Sequence, residues 1–109
     1  MTDEEYLGFV MAPENRHVLE LLKLKDDRAR QKHPAFSDGI YQGVGVIGEE
    51  YGELCQALNK NQGEARVMDE AFDLLCVVWR FCRGDWRTGD EKGYDYTAYD
   101  GKNVRTVKD

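Results

Sequence analysis

The sequence predicts an all-α fold: an antiparallel helix hairpin with a further helix before it, completed as a bundle across a dimer interface. Three observations predict it. Apolar residues recur at three- and four-residue intervals in the stretches that follow Pro13, Val44 and Gly63. The two prolines, Pro13 and Pro34, stand where helices would begin and stop. No strand pattern follows Gly48 for about 45 residues. The chain reads as one domain over 1–109, with a helical core over about 13–84 and a tail over 85–109.

Taken in order, Thr2-Asp-Glu-Glu5 has the form of a capping box and predicts a short helix to about Met11. Pro13 suits a first helical position, and the next helix runs to about Lys32, where Pro34 stops it. Its stripe Val18, Leu21, Leu22, Lys25, Arg28, Ala29 and Lys32 begins apolar and ends basic. Snorkelling lysines beside a core account for it, and so does the rim of a polyanion site. His33–Asp38 is a connector, with Ser37 or Asp38 as the expected cap of the following helix.

That helix is supported from Val44 to about Lys60 by Val44, Ile47, Tyr51, Leu54, Cys55 and Leu58. It carries Gly39, Gly43, Gly45, Gly48 and Gly52, each costing about 1 kcal/mol relative to Ala inside a helix. Close approach of another helix or a ligand is the usual compensation. Gly43–Gly48 spells a literal G-x-G-x-x-G, but no strand precedes it. Glu49 and Glu50 would also oppose a pyrophosphate, so a dinucleotide loop is not expected. After the break Asn59–Gly63 the last helix starts near Gly63 or Glu64 and ends at about Arg83, before Gly84. Its Leu74–Trp79 segment is apolar all round, which in so small a chain calls for a second copy against one side. The Gly-, Asp- and Tyr-rich tail reads as an irregular segment or as a small β-hairpin around Asp100-Gly101.

Composition excludes several functions. A net charge of −6 argues against a nucleic-acid or anionic-membrane surface. No apolar run approaches the ~20 residues of a membrane span, and the acidic N-terminus is unlike a signal peptide. Cys55, Cys76 and Cys82 form no C-x-x-C pair and fall on apolar faces, so buried reduced thiols and a cytoplasmic setting are expected.

The chemistry is concentrated in Glu49–Asp73. Glu50-x-x-Glu53 and Glu70-x-x-Asp73 are separated by sixteen residues, and residues three apart on a helix point the same way. Folded about its break, the segment places Glu53 opposite Glu70 and Glu50 opposite Asp73, at levels about 4.5 Å apart along the axis. Two ionised carboxylates ~5 Å apart repel by about 3 kcal/mol at an effective dielectric of ~20. Unless they face water or hold protons, a cation must sit among them.

An all-oxygen set suits Mg²⁺ first and Mn²⁺ second; zinc would want His or Cys. The single E-x-x-H, Glu14–His17, does not make a di-iron site. Mg²⁺ held by carboxylates keeps positions for water and phosphates, which suits phosphoanhydride hydrolysis, and Glu49 is placed to act as base or to hold the water. Neutralising Glu50 or Asp73 is expected to stabilise the metal-free protein. On solvated faces the same acids would instead belong to a non-catalytic helical binding or scaffold module.

Gly48-Glu-Glu-Tyr-Gly-Glu-Leu54 followed by Asp69-Glu-Ala-Phe-Asp-Leu-Leu75 resembles the all-α nucleoside triphosphate pyrophosphohydrolases, the MazG-like superfamily. The resemblance covers roughly His33 to Arg83. It implies a homodimer or homotetramer and Mg²⁺-dependent hydrolysis of a (deoxy)nucleoside triphosphate to the monophosphate and pyrophosphate. Glu50, Glu53, Glu70 and Asp73 take the metal-ligand roles and Glu49 assists the water. Phe36, for stacking, and Lys32, for phosphate, follow from position. The related phosphoribosyl-ATP pyrophosphohydrolases share similar motifs, but often have a lysine where Ile47 stands.

Overall fold

A computed structural model describes residues 1–87 and the short strands at 94–95 and 105–106. Four helices follow in order: α1 (Asp3–Val10), α2 (Pro13–Lys32), α3 (Ile40–Asn59) and α4 (Glu64–Cys82). The all-α class is borne out. Strands β1 (Tyr94–Asp95) and β2 (Arg105–Thr106) pair antiparallel, Tyr94 with Thr106 and Asp95 with Arg105. Residues 88–93, 96–104 and 107–109, with the expected turn at Asp100-Gly101, lie outside the described residues.

The caps explain the boundaries. Thr2 accepts from the Glu5 N–H while the Glu5 carboxylate accepts from the Thr2 N–H, a complete capping box for α1. Pro13 opens α2 at a position where its missing donor costs nothing. Helices α3 and α4 both end in Schellman motifs. Gln62 N–H reaches Ala57 O and Asn61 N–H reaches Leu58 O; Asp85 N–H reaches Arg80 O and Gly84 N–H reaches Phe81 O. The left-handed residues are Asn61 (φ +53°) and Gly84 (φ +79°), two residue types suited to it.

The start of α3 differs from expectation. Its cap is Gly39, at φ +95°, and not Ser37 or Asp38, so the helix begins at Ile40 and Gly39 stands outside it. The side chain of Gln42 instead accepts from the Asp38 N–H. Gly43-x-Gly-x-x-Gly48 lies wholly inside α3, so it forms no strand–loop turn.

The closest packing is α3 against α4, with α2 laid across α4 and α1 touching α2. The core is shallow: Ala57, Cys76 and Trp86 are the buried apolar residues among those described. The cysteines are free thiols, and the expected burial holds fully only for Cys76; Cys55 is half-buried and Cys82 exposed at the end of α4. Large apolar side chains remain outside. Tyr41 is 92% and Leu58 67% exposed on α3, and Met68, Leu75 and Trp79 form an exposed stripe on α4.

Of the α3 glycines, only Gly43 is pressed by the chain itself. A Cβ there would lie 3.1 Å from Phe81 Cδ2 and 3.2 Å from Ser37 Oγ, whereas Gly45, Gly48 and Gly52 face open space. Gly45→Ala is therefore expected to raise stability in urea denaturation by about 0.5–1 kcal/mol, the helix-propensity difference. A loss instead would show that something beyond the single chain packs on this face.

Candidate metal centre

The hairpin brings the acids together. One carboxylate oxygen from each of Glu50, Glu53 and Glu70 lies within 4.8 Å of the others, and the same holds for Asp69, Glu70 and Asp73. Glu70 belongs to both groups and is the hub of the cluster. It is also the most enclosed, at 3% exposure; Glu50 is half-buried and Glu53 exposed. Register and helical spacing suffice to explain this: Glu50 and Glu53 share a face of α3, Glu70 and Asp73 share a face of α4, and the Schellman turn at Asn61 fixes which levels meet.

Burial raises the Glu50 carboxyl to about 7, with the charges of Glu53, Asp73 and Glu70 adding to it. Burial also raises Glu70, opposed by Arg66 and reinforced by Glu53 and Asp73. One oxygen of each, Glu50 Oε2 and Glu70 Oε2, is buried without a hydrogen-bond partner. A buried acceptor left unpaired costs about 1–3 kcal/mol, more for a charged group. Two such oxygens in one all-carboxylate cluster are a set that a hard divalent cation would satisfy.

The cluster has internal counter-ions that sequence spacing shows only in part. Arg66, one turn before Glu70 on α4, places Nη2 2.5 Å from Glu70 Oε1. Lys25 arrives from α2, with Nζ 2.5 Å from Asp69 Oδ1 and 2.8 Å from Asp73 Oδ1. Its hydrogen bond to Lys25 holds the Asp69 carboxyl below the usual range. Burial would lower the Lys25 ammonium, but Asp69 and Asp73 outweigh it and raise it. Among the described residues, no ion pair reaches Glu50 or Glu53, so the side of the cluster on α3 carries no compensation.

Beside the cluster lies a cavity of about 350 Å³. Its polar walls are Lys25, Glu49, Glu50 and Asp73, and its apolar walls are Ala29, Phe36, Val46, Cys76 and Val77, with His33 and Arg80 completing it. The volume is at the lower end of the range for small-molecule sites, and the mixture of apolar wall and few convergent charges is typical of them.

The connector walls the cavity because α4 holds it there. Arg80, 2% exposed, donates from Nη2 to Pro34 O at 3.3 Å and lies 5.3 Å from the Phe36 ring centroid. Gly39 N–H donates to Trp86 O at 2.9 Å, and Arg30 joins Asp85 to Asp26 at 2.9 and 3.0 Å. In the last turn of α4 Arg80 complements the helix dipole, and it also fastens the wall. An arginine inside Val77-Val-Trp-Arg-Phe81 was the available signal: a charge in so apolar a run needs a buried partner.

Of the residues singled out from the sequence, Glu50, Glu53, Glu70 and Asp73 converge, and Glu49 and Phe36 line the adjoining cavity. Lys32 is exposed and is not part of the cavity wall. Lys25, two turns earlier on the same stripe, takes the position expected of it. The stripe held that signal, but not which of its cations points inward. Compared with protein-family models, curated proteins and solved structures, the chain gives no match. Among the described residues no helix is long and apolar enough to cross a membrane.

Proposed function

We propose that the protein is a Mg²⁺-dependent pyrophosphohydrolase of (deoxy)nucleoside triphosphates, working as a homo-oligomer. The observation that carries this reading is the meeting of two things at one place. An acid cluster with two unpaired buried oxygens adjoins a cavity that Glu50 and Asp73 line together with Ala29, Phe36, Val46 and Val77. Of common metabolites, a nucleoside triphosphate has the matching anatomy: a polyanion at one end and a flat, weakly polar base at the other.

Glu50, Glu53, Glu70 and Asp73 would hold the ion, which when bound neutralises phosphate charge and lowers the pKa of a water in its shell. Glu49, exposed on the cavity rim, accepts the proton of the attacking water. Phe36 and Val46 offer the base an apolar wall. The Arg80 guanidinium lies 5.3 Å from the Phe36 ring centroid and holds the ring at the cavity. The phosphoribosyl-ATP variant would use the same acids and differ only in what the cavity receives.

The exposed stripe Met68, Leu75 and Trp79, with Leu58 and Tyr51 on α3, supports assembly, since so much apolar surface is unusual on a lone chain. The scaffold reading has its own support in the ion pairs of Lys25 and Arg66, which neutralise part of the cluster without metal.

Pyrophosphate release from a panel of canonical, deoxy and oxidised triphosphates, with Mg²⁺ and with Mn²⁺, tests the proposal. Release from at least one substrate, abolished by EDTA, is expected. Silence across the panel, with no thermal stabilisation by Mg²⁺, returns the protein to the scaffold reading.

A further inference from the structure

Resting on that reading of the site, we propose that Lys25 is an exchangeable counter-ion. It is held by Asp69 and Asp73 until a divalent cation takes the carboxylates, then released to bind the phosphate chain entering the cavity. Among the described residues, the lysine and arginine side chains that pair with the acids or line the cavity are Lys25, Arg66 and Arg80, and their settings differ. Arg66 pairs with Glu70 and Asp69 but does not line the cavity. Arg80 lines the cavity, but it makes no ion pair with the cluster: Nη2 donates to Pro34 O, the guanidinium lies against the Phe36 ring, and Nε, without a hydrogen bond, is 3.6 Å from Asp85 Oδ2. Lys25 alone among the described residues both pairs with the cluster and lines the cavity as a cation.

Its anchoring is suited to exchange. Both of its partners are carboxylates of the cluster, and Asp73 is among the proposed metal ligands, so ion and ammonium compete for Asp73 directly. A dication sharing that carboxylate would repel the ammonium while weakening its hold. The side chain is 20% exposed, not sealed in, and stands on α2, outside the hairpin that shapes the acid cluster. A lysine stem carries a compact charge on several rotatable bonds, which lets it turn from Asp73 toward the cavity without moving the helix. Phosphate oxygens there would replace the two carboxylates it gives up. The unpaired buried oxygens of Glu50 and Glu70 are the independent sign that the cluster is built to receive a cation beyond its own lysine and arginine.

Three measurements on the full chain test this. In the wild-type protein, acetylation of Lys25 read by mass spectrometry should quicken when Mn²⁺ is added and slow again with inorganic tripolyphosphate. Nucleotide-free Lys25→Met should bind Mn²⁺ roughly threefold to tenfold more tightly by calorimetry, since no ammonium has to be displaced. The same variant should bind tripolyphosphate in the presence of Mn²⁺ roughly tenfold more weakly, and Lys25→Arg should restore most of the loss.

Lys25 reactivity unmoved or lowered by Mn²⁺ overturns the exchange, and so does unchanged or weaker Mn²⁺ binding by a folded Lys25→Met. The labelling uses only the native sequence, so it decides even where the variant fails to fold. Lys25 released by Mn²⁺ and re-covered by tripolyphosphate, in a protein that hydrolyses no nucleotide, supports the exchange while removing the proposed activity. Hydrolysis with Lys25 indifferent to Mn²⁺ does the reverse.

Discussion

Glu70→Gln is expected to lower metal-dependent triphosphate hydrolysis by at least about a thousandfold, through loss of a charged ligand at the centre of the cluster. Glu70 is the residue common to both carboxylate groups and is 3% exposed, so no other acid can take its place without moving α4. The fold should survive. Gln is nearly isosteric, its carbonyl still accepts from Arg66, and its amide donates toward the neighbouring carboxylates. Two measurements check this: turnover at saturating Mg²⁺, and the rise in thermal midpoint with Mg²⁺ that is expected of the wild type and not of the variant. If Glu70→Gln keeps both, the cluster is not the metal centre.

Glu50→Gln should separate stability from activity in the opposite sense. Burial, with the charges of Glu53, Asp73 and Glu70, raises the Glu50 carboxyl to about 7 in the folded protein. In the unfolded chain it ionises near the usual ~4.3. Between those values the folded state binds more protons than the unfolded one, so stability falls as pH rises through the window and levels off above it. After allowance for solvent screening, the loss attributable to Glu50 is of order 1–3 kcal/mol.

In EDTA, Glu50→Gln should therefore be more stable than wild type above pH 7, and the two should converge near pH 4. Parallel thermal melts across pH 4–8 measure the difference. Activity should be lost at the same time. Asp73→Asn, expected from the sequence to behave alike, will not: Lys25 lies 2.8 Å from Asp73, and removing that charge breaks an ion pair instead of relieving repulsion.

How much of this was legible beforehand follows from the range of each interaction. The hairpin, its break and the meeting of Glu50, Glu53, Glu70 and Asp73 rest on helical periodicity and a short turn, both local, and the chain spells them out. The cap of α3 is not spelled out in this way: side-chain type points to Ser37 or Asp38, whereas Gly39 caps the helix through its backbone at positive φ. The glycines of α3 looked alike in the sequence. Only Gly43 meets a neighbour in the chain, because only its direction points at Phe81 and Ser37.

The sequence by itself determined the all-α class, the two carboxylate pairs and the preference of such a set for a hard cation. Those depend on side-chain type and on spacings within one hairpin. Tertiary structure decided what stands against the cluster: Lys25 and not Lys32, Arg80 as the clasp of the connector, and a cavity where α2, the connector and the hairpin meet. Lys25 and Asp69 are 44 residues apart, as Arg80 and Pro34 are 46, and no periodicity links such positions. Their pairing is set by how α2 and the connector lie on α4, a matter of packing that a one-dimensional pattern does not carry.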